Sequence, residues 1–133
     1  MVFIYWLESH PAYAPRVEFI LQSMLTRGDR LCASHLTMGE VLVGPVKFQN
    51  TTLVAKARRL FDGGHIEILP FERAAAELFA QLRAVANVKP ADAIHLACAG
   101  ASGIDMFLTH DAGLYKLKVP GIHFIAGLDV NVF

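Results

Sequence analysis

Cysteine is scarce: Cys32 and Cys98 stand alone in 133 residues, with no Cys-x-x-Cys pair. A disulfide framework is therefore excluded, and the chain reads as one of a reducing, cytoplasmic compartment. Net charge is also missing. Twelve basic residues balance twelve acidic ones, so no global positive field draws in a polyanion, and any such ligand must be held by a local patch or a metal. There is no long apolar run. MVFIYWL is only seven residues before Glu8, too short to cross a membrane, and it lacks the basic start of a signal peptide. No HExxH pair occurs among the six histidines, no glycine-rich phosphate loop, no repeat and no low-complexity linker. What remains is 54% hydrophobic and 18% charged, which excludes a disordered chain and indicates one domain over residues 1–133 with a sizeable core.

Within that domain, helical and strand patterns alternate. Pro15 can open a helix in which Val17, Ile20, Leu21, Met24 and Leu25 share one face, and Gly28 ends it. Arg30 to Ala33 reads as a short strand. Ser34 offers an N-cap to SHLTMGEVLVG, which places Glu40 about one and a half turns in. Asn50 or Thr51 can cap the next helix, stopped by Gly63-Gly64. His65 to Leu69 alternates as an edge strand, and Glu72 to Val85 carries a helical stripe of Ala75, Leu78, Phe79 and Leu82. A last strand lies near Ile122 to Ile125. The alternation predicts an α/β fold, with helices on both faces of a mostly parallel sheet.

The densest stretch is KPADAIHLACAGASGIDMFLTHD, Lys89 to Asp111. Pro90 suits a first helical turn, and small residues from Ala91 to Ala101 allow close packing. Gly103 stops the helix, and Ile104 to Leu108 forms a buried strand that delivers Thr109, His110 and Asp111 at its carboxyl end. Asp92 sits where positive partial charge collects at a helix start, and in open α/β sheets ligands bind at the carboxyl ends of the strands. Glu40, among Met38, Val41, Leu42 and Val43, completes a set of three carboxylates in surroundings that call for a partner such as Arg83, or for a cation. A hard divalent ion, Mg²⁺ or Mn²⁺, suits oxygen ligands.

SHLTMGEVLVGP, KPADAIHLACA and FLTHD, in this order and spacing, resemble the PIN-domain family, and most of all the toxin ribonucleases of bacterial VapBC-type toxin–antitoxin pairs. The similarity extends over nearly the whole chain, including IYWLESHPAY and LRA around Arg83. It implies a three-layer α/β/α fold and a metal-dependent endoribonuclease in which acids hold Mg²⁺ or Mn²⁺ for attack of water on an RNA phosphodiester. It also implies two protein partners, a cognate antitoxin and a second copy of the chain. Carried over residue by residue, Glu40 matches the second acid, Asp92 the third, and Asp111 the acid of the strand-end Thr-x-Asp motif. Thr109 supplies that motif's hydroxyl, free to bond a carboxylate or a water.

One departure stands out. The family opens with a hydrophobic strand ending in Asp-Thr/Ser-Asn, and Met1 stands where that Asn would be, so the first strand and first acid are absent from this sequence. Either the recorded start lies downstream of that strand, or MVFIY itself supplies the central strand with Glu8 near the missing acid. On either reading weak metal binding and little nuclease activity are expected, and a PIN module that binds RNA or a protein without cutting is the alternative function.

Simpler roles compete for several residues. Asp92 alone is an ordinary helix-start acid, Asp111 an ordinary turn residue, and Ser34 most simply a cap. Asp105, at the far end of its strand, reads as a structural polar residue, and His95 as a packed, hydrogen-bonded histidine. Arg83 is a candidate for phosphate or for an acid of the site. Lys47, Lys56, Arg58 and Arg59 are a candidate basic rim for RNA, or simply a solvated helix face.

Overall fold

The helices start and stop where local chemistry satisfies their free ends. A computed structural model describes residues 2–133, with Tyr5 described by its main chain alone. In chain order the elements are α1 (Val2–Leu7), α2 (Ala14–Arg27), β1 (Cys32–Ser34), α3 (His35–Lys47), α4 (Thr51–Asp62) and β2 (Glu67–Leu69). There follow α5 (Arg73–Ala84), α6 (Pro90–Ser102), β3 (Ile104–Leu108), a 3-10 turn (Ala112–Leu114) and β4 (Ile122–Ala126).

Ser34 accepts a hydrogen bond from the Thr37 amide at 3.4 Å, and Asn50 Oδ1 accepts from the Leu53 amide at 3.1 Å, so α3 and α4 are side-chain capped. Gly28 closes α2 in the left-handed conformation, with its own amide on Leu25 and that of Asp29 on Met24. Helix α3 runs beyond the Gly44 stop expected from sequence and takes Pro45 into its last turn. There the missing N–H removes a single bond, and the ring is buried.

All strand pairing is parallel. Cys32, Ala33 and Ser34 of β1 align with Glu67, Ile68 and Leu69 of β2, and Ile104 to Leu108 of β3 align with Ile122 to Ala126 of β4. The chain is thus α/β, with parallel strands and helices packed around them, as its sequence pattern predicted. The sheet itself differs from that expectation. Among the described residues it is two separate two-stranded sheets, β1 with β2 and β3 with β4. Helix α6 packs against β1, β2 and β3 and so bridges the halves.

MVFIY does not supply a strand between them. Met1 lies outside the described residues, and Val2–Leu7 is helical. The physical reason is that its described apolar side chains find partners as a helix. Phe3 and Leu7, four apart, face Val41, Ala57 and Phe61, with the Phe3 and Phe61 ring centroids 5.9 Å apart. Val2 and Trp6, also four apart, face Val17 and Ile20 of α2. A short run that is apolar all round satisfies either conformation, and tertiary packing decides.

Apolar clusters lie on both sides of the strands. One joins Leu82 of α5 with Ala93, Leu96 and Ala97 of α6, and another joins α1, α3 and α4 around Phe61. Close approach is needed where α6 meets the entry to β4. A Cβ on Gly100 would stand 2.5 Å from the Pro120 carbonyl oxygen, so only glycine fits there.

Candidate acidic crevice

Between β1 and β3 lies a cavity of about 450 Å³, walled by Leu31 to Ser34 on one side and by Met106 to Leu108 on the other. Its polar rim is assembled from three separate places: Glu40 on α3, Asp92 and His95 on α6, and Thr109, His110 and Asp111 after β3. Local sequence explains each placement. Capping by Ser34 sets the phase of α3, Pro90 fixes the start of α6 two residues before Asp92, and β3 ends as the Thr109 amide makes its last bond to the Ala126 carbonyl.

The rim is knit by hydrogen bonds. His95 Nε2 lies 2.7 Å from Glu40 Oε1, while its Nδ1 lies 2.9 Å from Ser34 Oγ and 3.3 Å from Thr37 Oγ1. Because Ser34 Oγ already accepts from the Thr37 amide, its own proton is available to Nδ1. With a proton on Nε2, the chain of bonds runs from amide to serine, serine to histidine and histidine to carboxylate. Serine, histidine and glutamate in line have the composition of a hydrolytic triad, but Ser34 is 5% exposed and its oxygen is committed to the helix cap. It holds His95 rather than attacking a substrate.

Glu40 is not the isolated buried acid its apolar neighbours in sequence suggested. Its side chain is 39% exposed, and its partner is His95. Arg83 does not reach it. That guanidinium donates to the Val88 carbonyl at 2.9 Å and pins the turn between α5 and α6. Asp111 is likewise engaged, its Oδ1 accepting from the Gly113 amide at 2.9 Å. Thr109 Oγ1 accepts from the Asp111 amide at 3.1 Å, which ties this hydroxyl into the turn. Asp105, exposed on β3, lies 3.2 Å from His123 of the paired strand β4, and Glu8 lies beside Gly44. Neither is among the described residues lining the cavity. Cys32 does line it, and burial, reinforced by the Glu67 carboxylate, pushes its thiol up, away from the reactive thiolate.

Matched against known families, residues 1–120 fit the model described as PIN domain. The chain belongs to the PIN domain family. No curated protein and no solved structure matches it. PIN domains are generally nucleases that act on RNA with divalent metal ions, and this PIN domain brings carboxylates from three segments to one cavity. In donor type the set suits a hard divalent cation. In arrangement the carboxylates are drawn apart: among the described residues no three His, Cys, Asp or Glu side chains converge closely enough to hold an ion. Two of them are also engaged, Glu40 by His95 and Asp111 by the Gly113 amide. An ion entering here must compete with both. No described helix is long and apolar enough to cross a membrane.

Proposed function

We propose that this PIN domain is an endoribonuclease of the toxin type, the VapC-like member of a toxin–antitoxin pair, working in the cytoplasm with Mg²⁺ or Mn²⁺ at Glu40, Asp92 and Asp111. The observation that carries this reading is that all three carboxylates open onto one cavity at the carboxyl end of β3. A divalent ion bound there supplies electrostatic stabilisation of a phosphodiester under attack by water. The protein's own contribution is positional. His95 and Ser34 fix Glu40, and Thr109 fixes the turn that presents Asp111. An antitoxin segment is the partner proposed to cover the crevice. A second copy is the other proposed partner, and the exposed Val43, Val46 and Phe48 along α3 offer it an apolar face.

A second reading, a PIN module that binds RNA or a protein without cutting it, is favoured by the engaged state of Glu40 and Asp111. Thermal melts separate the two. With a site of about millimolar affinity, Mn²⁺ at tenfold excess should add about 1.4 kcal/mol, a rise of about 3–5 °C in Tm. Asp92→Asn should abolish that rise and, with it, Mn²⁺-dependent cleavage of a fluorescent RNA. A wild-type melt unmoved by Mn²⁺ would instead favour the binding module.

A further inference from the structure

Helix α2 walls the crevice cavity with Val17, Ile20, Leu21 and Met24, and Phe133 extends that wall. The ring belongs to a segment, Leu128 to Phe133, that lies in neither helix nor strand and is fastened to α2 by two arginines. Arg16 donates from Nε to the Leu128 carbonyl and from Nη2 to the Val130 carbonyl, both at 2.6 Å. Arg27, eleven residues on and so about three turns along the same face, donates from Nη1 to the Val132 carbonyl at 2.6 Å. Its Nε and Nη2 hold Asp29, at 2.9 and 2.6 Å, and the guanidinium carbon sits 5.1 Å from the centre of the Phe133 ring.

The two fastenings are unequal. Around Leu128, which is 6% exposed, Arg16 is half-buried and makes two bonds. Around Val132, which is 45% exposed, the Arg27 side chain is itself 46% exposed, so its bond competes with water. Phe133 keeps its place through that tether, the cation over its ring, and packing on the cluster of Val17, Ile20 and Leu128. Local opening follows such a gradient from buried to solvated contacts.

We propose that Leu128 to Phe133 is a gate on the crevice cavity. It pivots at Leu128, Arg27 is its latch, and the Phe133 ring swings clear to admit an apolar group. Opening uncovers the apolar wall of α2 and leaves Glu40, Asp92 and Asp111 where they are, so the gate governs entry of apolar groups and not the carboxylates. It is independent of the metal and nuclease reading, since neither Arg27 nor Phe133 belongs to the acidic set.

The test is the binding of a neutral apolar fluorophore, N-phenyl-1-naphthylamine, to the full chain, read as the rise in its emission. Apparent affinity scales with the open fraction, so Arg27→Gln should bind the dye roughly fivefold more tightly than wild type, with an unchanged circular dichroism spectrum. Phe133→Ala should bind at least as tightly. The double variant should bind no more tightly than Phe133→Ala alone, because the latch acts only through the ring. Arg73→Gln, which removes an exposed guanidinium of α5, should match wild type. If Phe133→Ala fails to fold, Arg27→Gln decides alone. Wild-type affinity in folded Arg27→Gln overturns the gate whatever Phe133→Ala does, as do additive effects in the double variant or an equal gain in Arg73→Gln. The expected gains in a protein that neither binds Mn²⁺ nor cuts RNA leave the gate standing and remove the nuclease reading.

Discussion

Replacing Leu96 by Ala is expected to cost about 3 kcal/mol of folding stability, read as a lower urea midpoint with an unchanged slope. Leu96 is fully buried at the middle of α6, in a cluster with Leu82, Ala93, Ala97 and Val119. Ala93 and Ala97, on the same face, are too small to fill the space left, so the cavity persists and its cost adds to the lost burial. For a domain of this size that is a large part of a total on the order of 5–15 kcal/mol. The effect extends to the crevice. Helix α6 carries Asp92 and His95 and touches both half-sheets, so loosening it should also weaken any Mn²⁺-dependent rise in Tm. A midpoint equal to wild type would show that α6 is not the keystone described above.

Gly121→Val is expected to do at least as much damage, about 3 kcal/mol or more, seen as loss of soluble folded protein or of the cooperative melt. Gly121 has φ +85°, and a Cβ there would overlap the main chain of Gly100. Two penalties combine, a left-handed backbone for a β-branched residue and a collision between main-chain segments that have no side chain to move aside. Gly28→Ala separates them. Its φ is +75°, and nothing lies within 4 Å of the added Cβ, so it should lose only about 1 kcal/mol. If the two variants melt alike, the contact between the start of β4 and α6 is looser than it looks.

How much of this could be read from the sequence depended on how local the deciding interaction was. Pro90, Gly103 and the apolar run after it marked α6 and β3 to within a residue, because a helix start, a left-handed stop and a buried strand are announced by adjacent residues. Ser34 declared itself as a cap for the same reason, and of the two candidates Asn50 and Thr51 the structure uses Asn50. MVFIYWL did not, since a short apolar run carries no period, and the choice of helix was made by Phe61, Val17 and Ile20, far along the chain. That Glu40, Asp92 and Asp111 line one cavity agrees with their order in the sequence, but their partners could not be read there. Glu40 is held by His95, 55 residues away, where Arg83 was the nearer guess in charge terms.

The gap between the half-sheets has a consequence for what this molecule can recruit. Among the described residues, strands β1 and β3 each hydrogen-bond to one neighbouring strand, and both line the cavity that ends in the acidic rim. An extended peptide entering there would meet unpaired main-chain groups of a strand margin, which is what strand addition uses. Running with β1 and β3, it would deliver its final side chain among Glu40, Asp92 and Asp111, so whatever occupies that opening also adjusts the charge of the crevice.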